Sequence, residues 1–182
     1  MNLFYGGLIT TKMKTLREQL NSYAAYHHDW RNKITHFVGV PLVTFSIFVP
    51  LSWLRFVQEP DLPITGATVF YLAVLVYYLV LDWKLALLQA PFSLGILWLA
   101  DQASLLPFCT SLVIFLATFV GGWIVQLLGH FLEGKRPALA DNLLQIFNAP
   151  LFLTVEVLYL LGWRQYDLSK TTQDVWPSER GA

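Results

Sequence analysis

Long uncharged runs alternate along the chain with short polar joints. Phe37 to Leu54, Leu62 to Leu81 and Gln102 to Leu132 contain no Asp, Glu, Lys or Arg, and Leu85 to Ala100 is a shorter run broken by Pro91. A helix advances ~1.5 Å per residue and needs about 20 mostly apolar residues to cross the hydrocarbon core with its backbone groups paired internally. These runs predict four membrane spans, the third of them kinked, tilted or a paired re-entrant segment. A fifth uncharged stretch, Asn142 to Val155, is interrupted by Glu156 before Val157 to Trp163 completes it. Pro150 and the carboxylate predict a broken or re-entrant segment, or a helix packed on the bundle, rather than a plain lipid-facing span. The chain thus reads as all-α: a polytopic transmembrane helix bundle of four main spans, a broken or re-entrant fifth hydrophobic segment and an N-terminal amphipathic helix. One membrane-embedded domain covers 1–182, with the amphipathic segment at 13–35, the bundle at 36–163 and a polar tail at 164–182.

Composition agrees with this pattern. The 182 residues are 55% hydrophobic and 13% charged, about half the charge fraction of an ordinary soluble domain. Twelve basic residues balance twelve acidic ones, which excludes disorder and gives no footprint for nucleic acid. The single cysteine, Cys109, cannot form an intramolecular disulfide, and its apolar surroundings predict a packed small hydrophobe. Lys and Arg set the orientation. With the N-terminus inside, Lys12, Lys14, Arg17, Arg31, Lys33, Lys84, Lys135 and Arg136 all fall on the cytoplasmic side, and Arg55 alone falls outside. Arg164, Lys170 and Arg180 join the inner set if the fifth segment returns without crossing. The weakly apolar Met1 to Thr11 lacks a basic start and does not match a cleaved signal, and Met13 is available as an alternative initiator. Trp53, Trp98, Trp123 and Trp163, near segment ends, suit an interfacial belt.

This topology gathers all four histidines at one membrane face. Imidazole is the commonest neutral metal ligand and also a proton shuttle near neutral pH. At about 100° per residue, Leu16, Leu20, Tyr23, His27 and Trp30 share one helical stripe, while His28 is rotated toward the flank. His27 is therefore the better ligand and His28 a surface or interfacial residue. His36 follows nine residues later, which on one straight helix means ~13 Å of rise and the opposite face. If the two share an ion, the helix must break between Trp30 and His36, and Asn32 can cap the restart.

His130 and Glu133 lie three apart on one helix face, with Gly134 placed to end that helix. Glu133 can ligate a metal or hold the imidazole tautomer. Lys135 and Arg136 can receive an anionic head group. Glu156, flanked by uncharged residues, is expected to be buried and paired, completing the site or holding two helices together.

The segments YHHDWRNKITHFVGVP and GHFLEGKRPALADNLLQIFNAPLF, in this order around apolar spans, resemble the 2-hydroxy fatty acid dioxygenase family. The first pattern falls on Tyr26, His27, Asn32, His36, Gly39, Val40 and Pro41. The second falls on Gln126, Gly129, His130, Glu133, Pro137, Ala138, Asn142, Gln145, Ala149, Pro150 and Glu156. The resemblance runs from about Tyr23 to Leu161. It implies a small multispanning enzyme of fungi or bacteria that removes one carbon from long-chain 2-hydroxy fatty acids with Fe(II) and O2. In a bacterium the host would be the inner membrane and in a fungus the endoplasmic reticulum, with the site on the cytoplasmic side that the Lys and Arg positions give. On this reading His27, His36 and His130 bind the metal, Asn32, Glu133 and Glu156 are candidate catalytic residues, and Lys135 and Arg136 bind substrate. The residues leave open which carboxylate joins the histidines and the oligomeric state. They also leave three other classes: a small membrane carrier, a structural scaffold, and a zinc-dependent membrane hydrolase, since three histidines with an open position suit Zn(II) as well.

Overall fold

A computed structural model of the chain describes residues 16–24, 27, 29–57, 63–135, 137 and 145–163. Six helices and one two-stranded hairpin are formed among them: α1 (Leu16–Ala24), α2 (Trp30–Ser52), β1 (Arg55–Val57), β2 (Ile64–Thr65), α3 (Gly66–Leu81), α4 (Trp83–Ser104), α5 (Phe108–Glu133) and α6 (Gln145–Leu160).

Local chemistry explains four of the boundaries. Asp29 caps α2, its carboxylate accepting from the Arg31 N–H at 2.8 Å. Thr65 and Thr68 form a reciprocal capping box at the start of α3. Asp82 divides α3 from α4 and accepts from the Lys84 and Leu85 N–H groups. Gly134, at φ 73°, closes α5, and the next N–H, of Lys135, bonds the His130 carbonyl at 3.1 Å. The stop expected at Gly134 is thus present.

Three helices, α2, α4 and α5, are long and apolar enough to cross a membrane, and α3 and α6 have 16 residues each. The outward faces carry exposed Phe92, Trp98, Val113, Val120, Ile124 and Phe131, a continuous apolar exterior of the kind water-soluble monomers avoid. The four-span count is therefore not reproduced. The run at 62–81 gives only the short α3, because its first residues are spent on the hairpin. That hairpin is the one non-helical element among the described residues, which are otherwise helical as expected. Arg55 ties it to the end of α4 through Asp101 at 2.9 Å and Ser104 at 2.8 Å. α4 passes Pro91 unbroken and extends to Ser104, so it is not a re-entrant pair, and the run at 102–132 is divided by a turn before α5. α6 passes Pro150 without a break. Cys109, expected to be packed, is exposed on the first turn of α5.

α2 is the central helix and packs chiefly on α5. Glycine allows the close approach: a Cβ on Gly122 would stand 2.9 Å from Val43 Cγ2, and one on Gly129 would overlap Thr35 and Asn32. Leu16, Leu20, Tyr23 and Ala24 bury one face of α1 in a core with Leu85, Phe152 and Val155. A second core, around Phe48, Val49, Ala67 and Ala100, fills the other end of the bundle.

Candidate metal centre

Two separate stretches of chain and a third from α5 bring His27, His36 and His130 together. All three are buried, and one ligand nitrogen from each lies within 4.8 Å of the others. Ring centroids are 4.4 Å apart for His27 and His36, 4.9 Å for His27 and His130, and 5.0 Å for His36 and His130. The chain does break between His27 and His36, as sharing an ion requires. The break lies upstream of the expected position: α1 ends at Ala24 and α2 restarts at Trp30, so Asp29 is the cap and Asn32 sits within the first turn of α2. Trp30 correspondingly leaves the buried stripe and is 67% exposed, while Leu16, Leu20, Tyr23 and His27 keep to it.

Backbone carbonyls fix two of the tautomers. His27 Nδ1 lies 2.8 Å from the Tyr23 carbonyl, and His36 Nδ1 lies 2.9 Å from the Asn32 carbonyl. A carbonyl only accepts, so both rings carry their proton on Nδ1 and present bare Nε2 lone pairs. Those two Nε2 atoms face each other at 3.1 Å. Two acceptors at that distance repel unless a proton or cation sits between them. Bonds of ~2.1 Å to one ion, meeting between a right angle and a tetrahedral one, would leave the nitrogens ~3.0 to ~3.4 Å apart. The donor set fits a transition metal.

Burial pushes the His27 imidazole down to about 3, and neighbouring His36 adds to the effect against the opposing bond to the Tyr23 carbonyl. The ring is therefore neutral, as a ligand must be. Tyr23 stacks on it with centroids 4.1 Å apart, and its own phenol is pushed up by burial. Arg31, through side-chain and backbone hydrogen bonds, holds the Asp29 carboxyl below the usual range.

The carboxylates flank the cluster without entering it. Glu133 accepts a short hydrogen bond from Asn32 Nδ2, and Lys135 Nζ lies 3.6 Å from its other oxygen. The same Asn32 amide makes a longer 3.4 Å contact with His130 Nδ1. Asn32 is completely buried, so one amide links α2 to both functional residues at the end of α5. Glu156 accepts from Lys33 Nζ at 2.7 Å, joining α6 to α2. Of the two roles open to it, the structure displays the helix-joining one. Lys135 is exposed beside Asp29, Trp30 and Arg31. His28, Arg136, Tyr26 and Asn142 lie outside the described residues, and so do Lys12, Lys14, Arg164, Lys170 and Arg180.

Sequence reasoning missed Trp123 as a wall of the histidine pocket and gave Gln126 no role, yet both line it, together with Leu127, Pro137, Ile146 and Ala149. Trp123 sits mid-helix rather than in an interfacial belt. Its helix is apolar on every side, which leaves no stripe from which to read an inward face.

Three buried histidines form a candidate metal site at one end of an apolar helical bundle, and the long apolar helices mark a protein of membrane type. Comparison with known proteins gives the family. The family model described as "Mpo1-like: 2-hydroxy-palmitic acid dioxygenase Mpo1-like" matches residues 13–160. The chain is 34% identical over 152 residues to the 2-hydroxy-palmitic acid dioxygenase MPO1 of Saccharomyces cerevisiae, covering 81% of this chain and 82% of that protein. The chain belongs to the Mpo1-like family. No solved structure matches it.

Proposed function

We propose that the protein is an Fe(II)-dependent dioxygenase that shortens long-chain 2-hydroxy fatty acids by one carbon at the cytoplasmic face of a membrane. The overall change, R–CH(OH)–COOH + O2 → R–COOH + CO2 + H2O, breaks the C1–C2 bond and oxidises C2 to the new carboxyl. His27, His36 and His130 would hold the iron, which would supply a redox couple for oxygen chemistry. The observation that carries this reading is the pair of Nε2 lone pairs facing each other across 3.1 Å in a buried pocket, in a chain related to a protein named for this activity.

The chain's own residues then have distinct tasks. The Tyr23 and Asn32 carbonyls keep protons on Nδ1 of His27 and His36, so that Nε2 is free. The Asn32 amide steadies His130 and Glu133 together. Glu133, one turn beyond His130, is a proton acceptor at the mouth, and Lys135 with Arg136 draws the substrate carboxylate there. Lys33 and Glu156 hold α6 against the pocket.

The test is oxygen uptake by anaerobically purified protein given 2-hydroxypalmitic acid. Consumption of one O2 per acid with formation of the acid one carbon shorter supports the assignment. Hydrolysis of lipid esters without oxygen uptake, in protein containing zinc, would replace it.

A further inference from the structure

Next to the histidine pocket lies a larger cavity of about 150 Å³, open at its mouth and bordered by α2, α3, α4, α5 and α6. The two spaces share Trp123, Gln126, Ile146 and Ala149 as walls, so they adjoin at a neck. Beyond it the lining is mostly aliphatic and aromatic, and three of its hydroxyls are already occupied. The Tyr78 hydroxyl donates to the Phe147 carbonyl at 2.6 Å and the Tyr71 hydroxyl to the Ala90 carbonyl at 3.3 Å. Ser93 Oγ donates to Gln89 Oε1 at 3.0 Å. Such a space suits an apolar guest better than water. Its far end is marked by Ile47, Phe48, Phe70 and Ser93, where the Phe48 and Phe70 rings meet edge to face at 6.2 Å.

We propose that this chamber holds the acyl chain of the substrate, with its length set by the residues at the far end and its neck by Gln126. The assignment rests on the 2-hydroxy-acid reading above. From His36 to Phe48 is twelve residues of α2, or ~18 Å. A zigzag of ~1.5 Å carbon–carbon bonds advances about 1.3 Å per bond, so this depth takes about 14 carbons beyond the head group. Gln126 is packed closely on α2, since a Cβ on Gly39 would collide with its Cγ. Gln126 lies where the polar head must give way to the chain.

The experiment uses the full chain in lipid nanodiscs with palmitic acid bearing a diazirine at its methyl end, and separately measures turnover of a chain-length series of saturated 2-hydroxy acids. Photolabel is expected on peptides of α3 around Phe70 and α4 around Ser93, displaced by unlabelled 2-hydroxypalmitic acid. Ile47→Trp, which fills the far end, should shift the preferred substrate to shorter chains, with about a fourfold loss in kcat/KM for each methylene excluded. Phe70→Ala should shift it the other way, which keeps the test open if the tryptophan variant does not insert. Labelling only of outward residues such as Leu94 and Trp98, with an unchanged chain-length profile in both variants, overturns the chamber even if the protein oxidises its substrate. Labelling at Phe70 and Ser93 in a protein that takes up no oxygen keeps the chamber and rejects the reaction.

Discussion

Replacing Gly129 with alanine tests whether the contact between α2 and α5 positions the histidines. The new Cβ would overlap Thr35 Oγ1 and Asn32 Oδ1 and stand 3.1 Å from Thr35 Cβ. Rotating Thr35 moves its methyl and its hydroxyl, which already donates to the Asn32 carbonyl at 2.7 Å, but leaves its Cβ in place. Asn32 can withdraw only by giving up Glu133 and its contact with His130. Overpacking of this kind costs about 1–3 kcal/mol, and loosening the partners of a ligating histidine lowers metal affinity ~10- to 100-fold. Gly121, on the same helix, has nothing within 4 Å of its would-be Cβ, and alanine there should be stabilising by ~0.5–1 kcal/mol. Opposite signs are therefore expected from the same substitution at two positions of one helix. Thermal unfolding in detergent, read alongside metal content per chain, measures both. If Gly129→Ala is within ~0.5 kcal/mol of the parent and keeps its full metal content, close packing at that point does not organise the site.

Glu156→Gln should retain metal, because the carboxylate engages Lys33 rather than the histidines, with a stability loss of no more than about 1 kcal/mol for a partly exposed pair; loss of metal would make it a ligand. Asn32→Ala should lower metal affinity ~10- to 100-fold without removing a ligand, and unchanged affinity would deny its link to His130. In the metal-free protein, His27 binds its proton only near about 3, against 6.5 for an ordinary histidine. The unfolded state therefore holds more protons between those values, and stability should fall as pH drops through that window, by up to about 1.4 kcal/mol per unit; a flat stability profile from neutral pH to about pH 4 would contradict the burial. Arg136→Ala should raise KM with little change in kcat, and an unchanged KM would take Arg136 out of head-group binding.

Much of the site was legible in the chain because helical spacing constrains a polar residue on an apolar face. Leu16, Leu20 and Tyr23 fix the inward direction, and His27 falls on it. The nine-residue interval to His36 then demands a break. Its location was not legible: Asp29 and Asn32 are both good caps, and the tertiary contacts of Asn32 with α5 bury it inside the helix. The exact span count was not legible for a related reason. Uncharged length does not distinguish helix from hairpin, and a stretch with Thr and Pro near its start can supply both. The chamber was invisible because α3 and α5 are apolar all round. Only packing determines which of their side chains line a cavity and which face lipid.

The most direct test of the account is metal content. Protein purified without oxygen should hold one iron per chain, and His27→Ala, His36→Ala and His130→Ala should each lose it together with turnover, while His28→Ala keeps both. Iron bound at full occupancy in all three variants, or full turnover in a protein stripped of metal, would contradict it.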